Sequence, residues 1–191
     1  MTNKDKIIDE VIYQIKMDLF FEARFDFMAL LVKDIELAIK QSERLGLVPV
    51  IRLNGTSDIA FEKYEVVRGG KLFRNVFAAF PTIQFYDYTA ILGRKVSEVS
   101  NYSLTFSAKD GNDADVQSAI AQGSNVATVF GIKKTEPMPE FYNGLPVFNG
   151  DESDLRFLDP KGVVVGLYAK GKAKKDTSGF VKYPTIMMKA A

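Results

Sequence analysis

The chain has 191 residues, of which 47% are hydrophobic and 26% are charged, an ordinary balance for a globular protein. At this length we expect one compact domain with a sizeable core. The net charge is only +1, so attraction to nucleic acid or to an acidic membrane would need a local patch of charge.

The chain contains neither cysteine nor histidine, and these two absences exclude several classes of chemistry. Disulfides, thiol catalysis and Ser-His-Asp machinery are impossible. Zinc sites built from Cys or His, Fe–S clusters and haem are not expected either. A bound metal would need oxygen ligands, which favours Mg, Mn or Ca.

The N-terminal residues do not have the pattern of a signal peptide. Charges of both signs are mixed over residues 4–10, and no apolar segment follows. The most apolar stretch, residues 17–32, contains four charged residues and is too polar to span a membrane. We therefore expect a cytoplasmic protein without a membrane partner.

Apolar residues at helical spacing predict an N-terminal helical segment over residues 1–46. A first amphipathic helix is predicted over residues 7–15 and a longer one from residue 27. Gly46 is typical of a helix C-terminus, and Pro49 follows shortly after. The phenylalanines between residues 20 and 27 are predicted to lie in the core.

Six apolar segments predict buried strands, at residues 48–53, 82–88, 102–106, 125–130, 145–148 and 163–169. Short helices are predicted at residues 72–80, 91–99 and 113–122, and residues 131–144 are predicted to form a loop.

Strands that alternate with short helices predict right-handed βαβ units and a largely parallel sheet. The predicted fold is α/β, either a partial (β/α) barrel or an open, mostly parallel sheet of about six strands. The single predicted domain, residues 1–191, would have a βα core at residues 47–170. Its tail, residues 171–191, is basic at first and weakly apolar after that.

Polar residues follow most of the predicted strands, and in parallel α/β folds ligands bind beyond these strand ends. The candidate ligand-binding residues are Arg52, Asn54, Thr56, Ser57, Asp58, Asp87, Tyr88, Thr105, Ser107, Asp151, Asp154, Lys170 and Lys172. Six of them are predicted to surround one cavity, namely Asn54, Asp58, Asp87, Thr105, Asp151 and Lys170. The candidate metal ligands are Asp58, Asp87, Asp151 and Asp154.

Each of these segments also has a structural interpretation. Residues 54–58 could form only a turn and a helix cap. Asp87 lies inside a predicted strand, where a buried carboxylate would need a partner such as Arg52 or Lys170. The acidic loop, residues 151–154, lacks the EF-hand pattern and fits a solvated turn. The basic run, residues 170–175, could bind phosphates or simply be solvated.

Five strings carry a family resemblance: Arg52 to Asp58, Phe85 to Thr89, Asn101 to Ser107, Asn149 to Asp159 and Gly166 to Asp176. In this order and spacing they resemble phage and plasmid proteins of the gene product 88 type, over residues 27–181. The resemblance implies a partial barrel and an origin in a mobile element, and the family has no assigned activity. Many members carry cysteine clusters reminiscent of radical-SAM barrels, whereas this chain has no cysteine, so an Fe–S role is excluded here.

Three functions of different classes are compatible with the sequence. The first is binding of a phosphate-bearing ligand, either a nucleotide or single-stranded nucleic acid. The basic run would supply charge in that case. Stacking surfaces would come from Tyr86, Tyr88, Tyr102, Phe106 and Phe130.

The second hypothesis is a Mg-dependent enzyme acting on a phosphorylated substrate. The four aspartates would hold the metal, and Lys170 would stabilise charge in the transition state. The third hypothesis is a non-catalytic module that recognises a host or phage protein. A homodimer is compatible with this role, because open sheet edges need to be covered.

Overall fold

The computed structural model describes residues 17–94, 96 and 98–184. The predicted first helix, residues 7–15, lies outside these residues. The chain forms two compact units, Met1–Phe85 and Tyr86–Ala191, which are described separately below. The single domain expected from the sequence stays a prediction.

The first unit contains one long helix, α1 (Arg24–Leu45), and residues 17–22 before it are also helical. The helix begins earlier than predicted. It ends at Gly46, which has a φ of 65°, the left-handed conformation that glycine adopts without a steric cost. The buried residues of α1, Met28, Val32 and Ile35, follow the i, i+3 and i+4 spacing of one helix face.

Strand β1 (Val50–Ile51) is shorter and more exposed than the predicted buried strand at residues 48–53. Val48 is largely exposed, and Pro49 has no N–H to donate to a neighbouring strand, so pairing starts only at Val50. Val50 and Ile51 pair in parallel with Gln84 and Phe85. The prediction of a buried six-residue strand was therefore wrong, although its position was right.

A hairpin that the sequence did not predict follows β1. Strands β2 (Val66–Arg68) and β3 (Lys71–Phe73) pair in antiparallel fashion. Gly69 and Gly70 form the turn between the two strands, and both have positive φ. A two-residue hairpin turn whose twist matches that of its strands needs this backbone conformation. The short helix predicted next is α2 (Val76–Ala79), which begins at the Asn75 cap and ends before a proline.

The second unit is built on a mostly parallel sheet, as predicted. Its strands are β4 (Gln84–Thr89, which begins in the first unit), β5 (Tyr102–Ser107), β6 (Val126–Phe130), β7 (Phe141–Tyr142), β8 (Leu145–Asn149), β9 (Val164–Tyr168) and β10 (Val181–Lys182). The order across the sheet is β4-β5-β6-β9-β8-β7, and the pairs β5/β6, β6/β9 and β8/β9 are parallel. Over the described residues the sheet stays open and does not close into a barrel.

Two features of the sheet were not predicted. Strand β7 lies in the predicted loop and forms an antiparallel hairpin with β8. Strand β10 lies in the predicted tail and pairs in parallel with Val129 and Phe130 of β6. Strand β5 pairs with β6 at Val126 and Ala127, so β6 has β5 beside its first half and β10 beside its second half.

Apolar side chains cover both faces of this sheet. Helix α3 (Asp113–Ala121), predicted from the sequence, packs on one face, where Val116 and Ala119 join Phe106 and Val126 in a buried cluster. On the other face Ala127, Val163 and Val165 are buried together, and partly buried side chains pack on them, namely Tyr88, Phe148 and Leu167. The helical turn predicted at residues 91–99 is not a helix in the described residues 91–94, 96 and 98–99.

None of the helices in residues 17–94, 96 and 98–184 is long and apolar enough to cross a membrane.

Candidate functional site

A cavity of about 570 Å³ lies in the second unit at the carboxyl ends of three parallel strands, β6, β9 and β10. We call it the lysine pocket. Its lining residues are Gly131, Ile132, Lys133, Lys134, Glu136, Tyr168, Ala169, Lys170, Gly171, Lys174 and Tyr183. The position agrees with the sequence prediction that ligands bind beyond the strand ends, because parallel strands point their carboxyl ends toward the same edge.

Backbone hydrogen bonds hold the three strand ends together. The N–H of Gly131, directly after β6, donates to the carbonyl of Lys182 in β10 at 2.9 Å. The N–H of Ala169, directly after β9, donates to the carbonyl of Phe130 at 3.0 Å. The floor of the pocket is therefore fixed by the sheet itself.

Hydrogen bonds within the loop after β6 close it, and a hydrogen bond from Tyr168 connects it to β9. The N–H of Glu136 donates to the carbonyl of Lys133 at 2.9 Å, and the N–H of Lys133 donates to Glu136 Oε2 at 3.0 Å. The Tyr168 hydroxyl donates to the Glu136 carbonyl at 2.9 Å. The carboxylate that lines the pocket is thus already engaged with a backbone N–H.

Lys170 was predicted as a ligand-binding residue, and it lines the pocket. Its Nζ lies 2.7 Å from Asp151 Oδ1, while Asp151 Oδ2 accepts the backbone N–H of Tyr168 at 3.2 Å. The Asp151 side chain is only 11% exposed, whereas that of Lys170 is 63% exposed. The structure therefore brings together two of the predicted residues, and the carboxylate orients the ammonium group.

Asp151 belongs to the Arg156 loop (residues 150–159), which is held by a buried guanidinium. Arg156 Nη2 donates to the carbonyl of Gly150 at 3.0 Å and also to that of Ser153, and Nε lies 3.3 Å from Asp159 Oδ2. Burial raises the pKa of Asp159, and the neighbouring Arg156 acts in the opposite direction. Because a Cβ on Gly150 would lie 2.4 Å from Arg156 Nη1, this position has room only for glycine.

The other three pocket lysines, Lys133, Lys134 and Lys174, have no carboxylate within ion-pair distance in the described part of the chain. Lys172 and Lys175 belong to the same 3₁₀ helix as Lys174, residues Gly171–Lys175, but do not line the pocket. The basic run therefore divides into lysines that line the cavity and lysines that do not.

Asp87 occupies a different environment, inside the second unit and away from the pocket lining. It is fully buried and accepts a hydrogen bond from the Tyr102 hydroxyl at 3.0 Å. Arg94 Nη2 in turn donates to the Tyr102 hydroxyl at 3.0 Å. Burial, followed by the adjacent Asp87 carboxylate, raises the pKa of Tyr102 well above its usual range, so the phenol stays protonated.

The remaining predicted residues of the second unit do not line the pocket. Thr105 is buried, Ser107 is half-buried, and Tyr88 packs against apolar side chains. Asp154 and Lys172 are exposed. Four rings predicted to serve as stacking surfaces are buried and cannot do so, namely Tyr86, Tyr102, Phe106 and Phe130.

The candidates in the first unit form a closed turn. Asn54 is buried, and its Oδ1 accepts the Ile59 N–H and the Ser57 hydroxyl, each at 2.8 Å. Its Nδ2 donates to the Ile59 carbonyl at 3.0 Å. These bonds close residues 54–59 into a bend, whereas the predicted helix cap is absent, because the 3₁₀ helix that follows begins after Ala60 and has no side-chain cap. Arg52 and Thr56 are exposed and Asp58 is half-buried. A cavity shared with the second unit stays a prediction.

Among the described residues no three acidic side chains lie close enough together to hold a metal ion. The proposed metal ligands Asp87 and Asp151 have other partners, a tyrosine hydroxyl and a lysine, respectively. The magnesium site stays a prediction.

Sequence reasoning missed most of the pocket. Lys133 and Lys134 come three and four residues after the predicted strand at residues 125–130, and a search that extended a few residues past each strand end would have found them. Tyr183 had no such signal, because β10 is only two residues long and lies in a segment without apolar periodicity.

A comparison with protein-family models matched the description Gene product 88 over residues 10–184. No curated protein and no solved structure matched the chain in the parallel comparisons. The family match covers more than half of the chain and confirms the family resemblance of the five sequence strings described above. The chain therefore belongs to the Gene product 88 family.

Proposed function

We propose that the protein binds a phosphate-bearing ligand, a nucleotide or single-stranded nucleic acid, in the lysine pocket. The observation that carries this proposal is the charge of the lining. Four lysines and a single glutamate line one cavity, in a chain whose net charge is only +1. The lining of this cavity therefore carries a local excess of positive charge that the chain as a whole does not have.

The acidic groups near the pocket do not cancel this charge. The Glu136 carboxylate accepts a backbone N–H, and Asp151 pairs with Lys170 alone. Lys133, Lys134 and Lys174 keep their charges without an ion-pair partner among the described residues. Lysine ammonium groups are common ligands of phosphate, and several in one cleft focus the field on an incoming anion.

The ligand class is the one expected in the first hypothesis from the sequence, but the residues that would bind it are largely different. Lys170 is retained, and the pocket adds the lysines of the loop after β6. The Mg-dependent enzyme and the protein-recognition module stay predictions.

The test compares two neighbouring lysines. Lys174 lines the pocket and Lys175 does not, although both belong to one 3₁₀ helix. Inorganic pyrophosphate and a thymidine oligonucleotide are titrated against the wild type, Lys174→Gln and Lys175→Gln at about 50 mM and about 200 mM salt. We expect Lys174→Gln to weaken both ligands and Lys175→Gln to change little.

For the oligonucleotide, log affinity falls with log salt concentration, and the loss of one phosphate contact should make this fall less steep by about 0.7. Equal losses in the two variants would show that the charge of the run matters and the pocket does not. If neither pyrophosphate nor the oligonucleotide binds at low salt, the proposal is overturned.

A further inference from the structure

Tyr183 is the exposed aromatic side chain of the lysine pocket. It follows β10, whose parallel pairing with β6 brings it next to Gly131. The side chain is 63% exposed and lines the cavity. Tyr183 is not among the residues predicted from the sequence, and it is not one of the lysines of the proposed phosphate site.

The ring of Tyr183 packs against the backbone of Gly131 at its Cε1 edge. A Cβ on Gly131 would be 2.2 Å from Cε1 and 2.7 Å from both Cδ1 and Cζ. These distances place the added atom above the ring plane at the Cε1 edge, so the rest of the ring lies away from the glycine. Gly131 has an ordinary φ, so the glycine is needed here for close approach of the ring and not for its backbone conformation.

A ring that packs against the backbone at one edge and is exposed over most of its surface is a platform for a second flat group. Bases stack on tyrosine rings with little dependence on their identity, because every base has a π-face. The pocket places this platform beside lysines on the neighbouring strand ends, so a base and a phosphate of one ligand can be bound together. The cavity volume of about 570 Å³ is typical of sites for organic ligands.

We infer that Tyr183 stacks on the base of the ligand, so that the pocket selects nucleotides, free or within a single strand, over phosphate compounds without a base. This inference rests on the proposed function, since the lysines provide the phosphate contacts. It adds a base-binding platform and a close-packed glycine that supports it.

The test uses two ligands that share a diphosphate, ADP and inorganic pyrophosphate. The wild type should bind ADP at least about fivefold more tightly than pyrophosphate. Tyr183→Leu should remove this preference and leave pyrophosphate binding unchanged, while Tyr183→Phe should keep it. Phe141→Leu is the matched control, because Phe141 is equally exposed at 65% and lies outside the pocket lining.

Gly131→Ala is a second variant that acts through the same ring. The added methyl group would displace Tyr183, so ADP binding should weaken while pyrophosphate binding changes less. Thermal unfolding of each variant would show that the protein still folds.

The outcomes separate the two proposals. If pyrophosphate binds and ADP binds no more tightly, stacking is overturned and the phosphate site stands. If neither ligand binds, the proposed function fails and the inference fails with it. Titration with a thymidine oligonucleotide identifies the source of the base: tighter binding than ADP indicates a single strand, and weaker binding indicates a free nucleotide.

Discussion

Asp87 and Asp151 were predicted from the same sequence pattern, an acidic residue at the end of an apolar strand, but they lie in opposite environments. Asp87 is fully buried and bound by the Tyr102 hydroxyl. Asp151 lies at the edge of the lysine pocket and holds an exposed lysine. One carboxylate accepts a hydrogen bond in the interior, and the other forms an ion pair with a lysine of the pocket.

The difference follows from where each residue sits relative to its strand. Asp87 lies within β4, so its side chain is directed to a face of the sheet that other residues cover. Asp151 comes after β8 has ended, where the chain leaves the sheet. Asp87, inside its strand, is fully buried by the sheet, whereas Asp151, past the strand end, is largely buried but reaches the exposed Lys170. The distinction depends on the exact end of the strand.

The largest expected effect concerns the buried cation that supports Asp151. Arg156→Met should lower the free energy of unfolding by about 3–5 kcal/mol, because it leaves Asp159 and two carbonyls without their partner. Urea unfolding measures this loss. Arg74→Met, at an exposed position, is the control and should change little. Equal midpoints for the two variants would show that Arg156 does not hold the loop.

Asp87→Ala should cost about 1–3 kcal/mol, because the Tyr102 hydroxyl loses its acceptor in the interior. Under conditions in which the variant is folded, it should bind pyrophosphate as tightly as the wild type does, since Asp87 does not line the pocket. Asp154→Ala, at an exposed position, is the control for stability. A loss of affinity without a loss of stability would instead place Asp87 in the binding site.

Asp151→Asn should change the free energy of unfolding by less than about 1 kcal/mol, because the pair it breaks includes an exposed lysine. Pyrophosphate should bind up to about fivefold more tightly, since the carboxylate that partly neutralises Lys170 is gone. Calorimetric titration measures the change. Weaker binding would show that the orientation of Lys170 matters more than its neutralisation.

The smallest effect is a pH dependence at a third carboxylate, Asp176. The Val181 N–H and then the Ser178 hydroxyl donate to it and lower its pKa below the ordinary value of 3.8. Its contribution to stability is therefore fully present above that value and lost as the pH falls through the lowered pKa. The hydrogen bond from the Val181 N–H also fixes the start of β10, which leads to Tyr183 in the pocket lining.

Urea unfolding of the wild type and Asp176→Asn should show a stability difference near neutral pH that shrinks below pH 3.8. Asp154→Asn, at an exposed position, should show a smaller difference over the same range. A gap that widens in acid would mean that the sign of the linkage is wrong.

The sequence allowed most of the sheet to be predicted, because each long strand is a continuous apolar segment between turn residues. Strand β9 and helix α3 were placed to within about two residues, the usual uncertainty at element ends. The short strands β7 and β10 were missed. Two residues are too few to carry a period of two, and these strands exist only because a partner strand supplies their hydrogen bonds.

Only a small part of the lysine pocket was predicted from the sequence. The rule that ligands bind at the carboxyl ends of parallel strands led to the edge of the sheet where the lysine pocket lies, and to Lys170. It also selected Asp87 and Thr105, which the structure buries. Both residues lie inside their predicted strands, at residues 82–88 and 102–106, where a side chain faces the sheet. The rule applies only to residues beyond the strand ends.

The sequence by itself determined the fold class, the family, the exclusion of Cys and His chemistry, and the presence of a basic run after the last long strand. The family is indicated by five strings in a fixed order and is shown by the family-model match. The other properties depend on composition and on local periodicity, which are readable in the chain. Only the tertiary structure decided which lysines share a cavity, that Arg156 is buried, and that Tyr183 lies on Gly131. Each of these depends on contacts between residues distant along the chain, and such contacts leave no local pattern.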